Sequence, residues 1–154
     1  MAATASAQSL NIGGQTYDAA DGVAPLGTIM TSGSVTDIAF DLGINAGNFG
    51  ESGSWGSEFN LQIDGPNGEQ FIAGGDTSAD LSFGWADSSG SFTFSGSAPF
   101  SGGAGEYTVS VFDTFDDTGT DGFILADSTV TLIPTPGAAA ILGMGGLVAT
   151  RRRR

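Results

Sequence analysis

The stretch Asp37-Ile-Ala-Phe-Asp-Leu-Gly-Ile44 alternates apolar and polar residues with a period of two. That period is typical of a β-strand, because successive side chains point to opposite faces of a sheet. Asp37 and Asp41 lie on the polar face. The apolar face consists of Ile38, Phe40, Leu42 and Ile44. The stretch therefore predicts a strand with one buried face, as in antiparallel sheets.

Other runs with the same period follow along the chain, at residues 59–63, 81–85, 92–94, 107–111 and 130–132. Turn-forming residues separate them, as in Asp64-Gly-Pro-Asn-Gly68, and no stretch before residue 134 has a helical period. The first of these runs follows a long loop at 47–57, and in it Phe59, Leu61 and Ile63 alternate with the polar residues Glu58, Asn60 and Gln62. Trp85 and Tyr107 are in phase with core residues. The pattern predicts an all-β fold, an antiparallel β-sandwich of about eight strands.

The charge of the chain is one-sided, with 17 acidic residues, no lysine and no histidine among 154 residues. All four basic residues stand at the end, as Arg151, Arg152, Arg153 and Arg154. Such a body repels nucleic acid and anionic lipid. Cysteine is absent, so disulfides and thiolate sites are excluded. Nucleophilic mechanisms lack their usual histidine or lysine base, and we expect the protein not to be an enzyme.

The last 21 residues have three parts in order: the break Pro134-Thr-Pro136, an apolar run of 13 residues at 138–150, and the four arginines. As a helix the apolar run would extend about 20 Å, less than the roughly 30 Å of a bilayer core. Terminal arginines favour the cytoplasmic side of a membrane. We therefore expect a short C-terminal apolar helix that anchors an exported body.

This tail resembles the PEP-CTERM sorting signal of bacterial exosortase substrates. The resemblance is carried by Pro134 and Pro136, by glycines within the apolar run and by the terminal arginines, with Thr135 where the family has Glu. It implies that residues 134–154 hold the protein in the inner membrane until an exosortase-like transpeptidase removes them. The body would then lie at the cell surface or in the extracellular matrix.

The N-terminus also indicates export. Ala5-Ser-Ala7 before Gln8 matches the small-residue pattern of a signal-peptidase site, and we interpret residues 1–7 as a signal-peptide remnant. Residues 8–133 would then form the mature β-sandwich domain.

Two segments of the body resemble the P-domain of proprotein convertases, a jelly-roll sandwich. They are Ser57-Glu-Phe-Asn-Leu-Gln-Ile-Asp-Gly-Pro-Asn-Gly68 and Gly105-Glu-Tyr-Thr-Val-Ser-Val-Phe-Asp113, with Tyr107 where that family usually has Trp. The resemblance implies a jelly-roll-like accessory domain without catalysis of its own.

The densest acidic stretch lies at 113–122, between Gly-containing turns. Its candidate metal ligands are Asp113, Asp116, Asp117 and Asp121. Hard carboxylate oxygens in a flexible loop suit Ca²⁺, although the spacing is not that of an EF-hand. The loop is either a Ca²⁺ site or a solvated acidic turn.

Trp55 lies in a Gly/Ser-rich loop and is the one aromatic residue that we expect to be exposed for ligand contact. The sequence favours an exported, non-catalytic protein with a structural or adhesive role, with extracellular polysaccharide as a partner. One alternative is a Ca²⁺-dependent module that binds a glycan or a peptide. Another is a small glycosidase that uses two carboxylates, drawn from Glu51, Glu58, Glu69 and Glu106.

Overall fold

A computed structural model describes residues 6–18, 22–47, 54–75, 79–115 and 120–135. Eleven strands are found there: β1 Gln8–Asn11, β2 Thr16–Tyr17, β3 Ala24–Thr31, β4 Val35–Ala46, β5 Phe59–Asp64, β6 Gln70–Gly74, β7 Leu81–Ser82, β8 Gly90–Gly102, β9 Gly105–Asp113, β10 Gly122–Ile124 and β11 Thr129–Pro134. A 3₁₀ turn at Gly56–Glu58 precedes β5. The all-β prediction is confirmed.

The strands form two sheets. In the first sheet, β4 pairs with β8 along one edge, and with β10 and β11 end to end along the other. β2 and β1 continue this sheet beyond β10 and β11. The second sheet has the order β3-β9-β5-β6-β7. Every pairing is antiparallel except the short one between β6 and β7.

Two pairs of short strands lie side by side in the first sheet, and each pair is separated by four residues. Residues 12–15 separate β1 from β2, and residues 125–128 separate β10 from β11. The chain stays attached through the break, because the Leu125 amide donates to the Gly43 carbonyl at 2.8 Å and the Ile12 amide donates to Ser128 O at 2.9 Å. Gly43 leaves room for the Leu125 side chain, since a Cβ there would come within 2.7 Å of Leu125 Cδ1 and the side chain would have to move. Each interrupted pair of short strands therefore behaves as one long strand.

The core lies between the two sheets, where aromatic rings from both meet. Tyr17 of β2 contacts Phe59 of β5 with 5.1 Å between ring centroids, and Phe40 of β4 stacks on Phe71 of β6 at 6.3 Å. The alternating residues of the sequence supply this core: Ile38, Phe40, Leu42, Ile44, Phe59, Leu61, Ile63, Trp85, Tyr107, Val109, Val111, Val130 and Leu132 are all buried. The core placement predicted for Trp85 and Tyr107 is confirmed.

The polar face predicted for β5 differs from the structure in two places. Glu58 belongs to the 3₁₀ turn and not to the strand, which begins at Phe59. Asn60 is buried, because its side-chain amide donates to Glu58 O at 2.7 Å and its partner across the ladder is Gly74, which leaves room for it.

The expected C-terminal helix falls on residues 136–154, outside the described part of the chain. Within the part that is described, no helix has the length and apolar character needed to cross a bilayer.

Candidate functional site

Several strand ends meet at one end of the body. β5 begins at Phe59 opposite Asp113, the last residue of β9, and β10 begins at Gly122 beside Tyr17 of β2. The contact between Tyr17 and Phe59 joins these ends across the two sheets. We call this region the acidic end and define it as Tyr17, residues 54–58, residues 113–115 and Asp121.

Asp113 connects two segments that are far apart in the sequence. Its Oδ2 accepts a hydrogen bond from Ser54 Oγ at 3.0 Å, and its Oδ1 accepts one from the Phe115 amide at 3.3 Å. The Thr114 amide donates to Glu58 O at 3.1 Å. One buried carboxylate therefore ties the segment before β5 to the turn after β9.

The charge of Asp113 is unfavourable in this position. Burial, with smaller contributions from the nearby charges of Asp121 and Glu58, raises the pKa of Asp113 to about 6 from an ordinary 3.8. Hydrogen bonds from Phe115 and Ser54 offset only part of this rise. Because the body contains no basic side chain, only donors, protons or external cations can compensate this charge.

Tyr17 lies beside the same carboxylates. Its side chain is 2% exposed, and within the described residues its hydroxyl has no hydrogen-bond partner. Burial, followed by the charges of Asp113, Asp121 and Glu58, raises the pKa of Tyr17. Gly122 leaves room for the hydroxyl, because a Cβ at that position would collide with it. A buried hydroxyl and two buried carboxylates thus share a small region.

Two exposed aromatic side chains border this region. Trp55 is 45% exposed and Phe115 is 61% exposed. The Trp55 amide donates to Glu58 Oε2 at 2.8 Å, which fixes the entry into the 3₁₀ turn. Trp55 was singled out from the sequence, whereas Phe115 was not. The only sequence signal for Phe115 was a lone aromatic residue inside an acidic turn.

The structure brings together part of the predicted metal loop. Asp113 and Asp121 both lie at the acidic end and are buried, whereas Asp116 and Asp117 fall outside the described residues. Among the side chains that the structure describes, no three acidic groups are close enough together to hold a metal ion.

The carboxylates considered for glycoside hydrolysis are spread over the body. Glu58 lies at the acidic end, Glu69 and Glu106 lie towards the opposite end, and Glu51 is outside the described residues. Glu69 and Asp80 line one hollow of about 460 Å³. Hydrogen bonds from Asn67 and Gly103 lower the pKa of Glu69 to about 2. A general acid needs the opposite shift.

The outer face of the first sheet carries a second surface feature. Two adjoining hollows of about 390 Å³ each share Asp41 and Ser95 and form one shallow groove. Thr93 of β8 and Thr129 of β11 line its sides. Hydroxyl groups and apolar atoms both line this groove.

The predicted sorting motif begins where the last strand ends. Pro134 is the final residue of β11, and the Thr135 amide and hydroxyl both donate to Ser34 O at 2.8 Å. Pro136 and the four arginines lie outside the described residues.

No protein-family model and no curated protein sequence matches this chain. Among solved structures, the fold of this chain is similar to the structure of Eiger TNF from S. frugiperda, with a TM-score of 0.44 and 10% sequence identity. The match covers 86% of this chain and 93% of the other.

Proposed function

We propose that this protein is an exported, non-catalytic surface module, in which a jelly-roll sandwich with a structural or adhesive role is carried by a C-terminal sorting tail. The observation that carries the proposal is the junction at Pro134. The last strand ends there, Thr135 is tied to Ser34, and the Pro-Thr-Pro motif starts at the same residue. The Pro-Thr-Pro motif thus begins at the last residue of β11.

The strand order supports a jelly roll. If the interrupted pairs β1 with β2 and β10 with β11 count as single strands, and the two-residue β7 is left aside, each sheet has four strands. Most successive strands then alternate between the two sheets. This connectivity is typical of a jelly roll, which consists of two Greek keys.

The charge supports a location and partners outside the cell. A body with 17 acidic and no basic side chains stays soluble and is repelled by nucleic acid and anionic lipid. Extracellular polysaccharide that is neutral meets no such repulsion. The low pKa of Glu69 adds support for a non-catalytic role, because it removes a candidate general acid.

Membrane fractionation tests the sorting function. The full chain, placed behind a secretion signal, is expressed in one bacterium that has an exosortase and in another that lacks it. We expect the protein in the inner membrane of the second host, with the body digestible by protease from the periplasmic side. In the first host we expect release to the surface with loss of the tail.

Two tail variants sharpen this test. Replacing the four arginines 151–154 with glutamine should weaken retention in the membrane, whereas Thr135→Glu restores the family motif and should leave processing intact or faster. Finding the unaltered protein free in the periplasm of both hosts would contradict the proposal.

A second candidate function is Ca²⁺-dependent binding of a glycan or a peptide. Two observations favour it: Asp113 and Asp121 lie close together, and the body has no basic side chain to compensate their charges. An ion that binds the folded state must raise the thermal midpoint by mass action. We expect millimolar Ca²⁺ to raise it at pH 7.5, and not at pH 4.5, where a proton already neutralises Asp113. The Asp116→Asn/Asp117→Asn variant should lose the rise. No rise at either pH would eliminate this candidate.

A further inference from the structure

One asparagine of the chain is followed directly by glycine. The sequence has five asparagines, and only Asn67 precedes a glycine, in the turn that joins β5 to β6. An Asn-Gly pair is chemically labile, because the next backbone nitrogen can attack the side-chain amide carbon and glycine has no side chain to obstruct ring closure. The other described asparagines, Asn11, Asn45 and Asn60, lie within strands and precede residues with larger side chains.

The structure leaves this pair open to water. Asn67 and Gly68 are both exposed, and a Cβ at Gly68 would meet no described atom within 4 Å. The Gly68 amide donates to Gly65 O over 3.3 Å, which is long for a backbone hydrogen bond. The nitrogen that would attack Asn67 is therefore only weakly held in the turn.

The Asn67 side chain also belongs to a series of contacts between two turns. Its Nδ2 donates to Glu69 Oε1 at 3.0 Å, and its backbone amide donates to Glu69 Oε2 at 2.8 Å. Glu69 Oε1 also accepts the Gly103 amide at 2.8 Å, and Gly103 O accepts the hydroxyl of Tyr107. These contacts join the turn between β5 and β6 to the turn between β8 and β9.

The reaction at this pair needs only water. The Gly68 nitrogen forms a bond to Asn67 Cγ, the bond from Cγ to Nδ2 breaks, and Nδ2 leaves as ammonia with the proton that Gly68 has lost. Water then opens the cyclic imide at one of its two carbonyl carbons and returns a proton to the Gly68 nitrogen. Opening at Cγ gives aspartate. Opening at the backbone carbonyl gives isoaspartate, in which the main chain runs through the former side chain.

Conversion of Asn67 would reverse the character of its contact with Glu69. A donor at 3.0 Å from Glu69 Oε1 becomes a carboxylate, which only accepts hydrogen bonds when ionised. Two carboxylates at this distance oppose each other's ionisation. The body contains no basic side chain that could compensate them. Isoaspartate also adds a methylene group to the backbone of the turn.

We propose that Asn67 is a site of spontaneous deamidation, and that its conversion to aspartate or isoaspartate weakens the connection between the two turns. Because ammonia is lost, the change runs in one direction and accumulates with the age of the protein. The modification goes beyond the proposed function and does not depend on where the protein is sorted.

Peptide mapping by mass spectrometry of the purified full chain tests the site. The chain is kept in warm, mildly alkaline buffer, since base removes the Gly68 amide proton, and is then digested with pepsin, because the body has no site for trypsin. We expect the peptide with residue 67 to gain the mass difference between NH₂ and OH. The peptides with Asn11, Asn45 and Asn60 should stay unchanged over the same period.

Asn67→Gln is the matched variant, because it keeps the amide but moves its carbon one methylene further from the Gly68 nitrogen. Its peptide should show no gain in mass. The site would be overturned if another asparagine converted first. It would also be overturned if Asn67 stayed intact while a free peptide of residues 65–69 converted completely in the same buffer.

Asn67→Asp tests the consequence without waiting for the reaction. At neutral pH it should lower the thermal midpoint by about 5 °C, as expected for the loss of one bond to a charged group. Gln8→Glu, at an exposed position of β1, adds the same charge elsewhere and should leave the midpoint nearly unchanged. A chain with Asn67→Asp that is no less stable than Gln8→Glu would overturn the weakened connection.

Discussion

The two ends of the body each place a buried tyrosine beside a carboxylate, and the two pairs have opposite electrostatic properties. Tyr17 and Asp113 form the pair at the acidic end. Tyr107 and Glu69 form the pair at the other end, which we call the closed end and define as Asn67, Glu69, Gly103 and Tyr107. In both places a glycine makes room for the hydroxyl, Gly122 for Tyr17 and Gly102 for Tyr107.

At the closed end both the tyrosine hydroxyl and the carboxylate have partners. The Tyr107 hydroxyl donates to Gly103 O at 2.5 Å. Glu69 accepts bonds from the Asn67 side chain at 3.0 Å and from the Asn67 and Gly103 amides at 2.8 Å. These three donors, together with the backbone amide of Glu69 itself, lower the pKa of Glu69 to about 2. Turn amides thus stabilise a negative charge where no basic side chain exists.

At the acidic end the same residue types are less well satisfied. Asp113 has two donors and lies deeper, so its pKa rises to about 6, and the Tyr17 hydroxyl has no partner within the described residues. In a body without lysine, arginine or histidine, backbone donors are the main internal compensation for charge. At the closed end the donors are sufficient, and Glu69 links the turn at Asn67 to Gly103. The end that lacks them has a carboxylate, Asp113, that takes up a proton more readily than usual.

The largest effect should come from removing each tyrosine. Tyr107→Ala removes a fully buried ring and should lower the free energy of unfolding by about 3–5 kcal/mol, as large core truncations do. Tyr17→Ala also removes a buried hydroxyl without a described partner, so its cost should be about 1 kcal/mol smaller. Urea denaturation followed by tryptophan fluorescence measures both. Equal costs would mean that the two ends do not differ as described.

Asp113→Asn should produce the next largest effect, and it depends on pH. The folded protein holds the Asp113 proton up to about pH 6, whereas the unfolded chain releases it near 3.8. The free energy of unfolding therefore falls as the pH rises from about 4 to 6, and the loss persists above that. The variant lacks this titration and should be about 2 kcal/mol more stable than the parent at pH 7.5, with the difference vanishing near pH 4.

The measurement is thermal or urea unfolding in EDTA at four pH values between 4 and 7.5. Asp41→Asn, at an exposed position on the first sheet, controls for the change in net charge of the protein. A variant of Asp113 that is less stable than the parent at pH 7.5 would show that the bonds from Ser54 and Phe115 outweigh the burial of the charge.

Much of the fold could be predicted because most strands have one buried face. In β4 the alternation continues from Asp37 to Ala46, and each predicted core residue there is buried. β3 escaped the prediction because its register shifts between Pro25 and Gly27, which places the core-facing residues Leu26 and Ile29 three positions apart. β1 and β2 are too short to show a period on their own.

The site was less predictable, because its residues come from segments that are far apart in the sequence. Trp55, Asp113 and Asp121 each attract attention locally, but the structure shows that Ser54 and Asp113 meet across 59 positions. Tyr17 joins them only because β2 pairs with β10. Sheet order decides such meetings, and no local pattern in the sequence encodes it. Asn60 was missed likewise, because its burial depends on a glycine in the neighbouring strand.

A subtler contrast should result from removing only the hydroxyl groups. Tyr107→Phe loses the bond to Gly103 and should cost about 1 kcal/mol of stability. Tyr17→Phe removes a hydroxyl that has no partner among the described residues, so stability should stay unchanged or rise by up to about 1 kcal/mol. Urea denaturation midpoints compare the two. A loss in Tyr17→Phe as large as that in Tyr107→Phe would reveal a partner for Tyr17.

The smallest effect on stability should come from the exposed rings. Trp55→Ala and Phe115→Ala should each change the free energy of unfolding by less than about 0.5 kcal/mol, because neither ring is buried in the core. Phe59→Ala, at a fully buried ring of the same end, is the contrasting variant and should cost about 3–5 kcal/mol. Thermal unfolding in the absence of polysaccharide measures all three. A large loss of stability in Trp55→Ala would instead make that ring a cover over the start of β5.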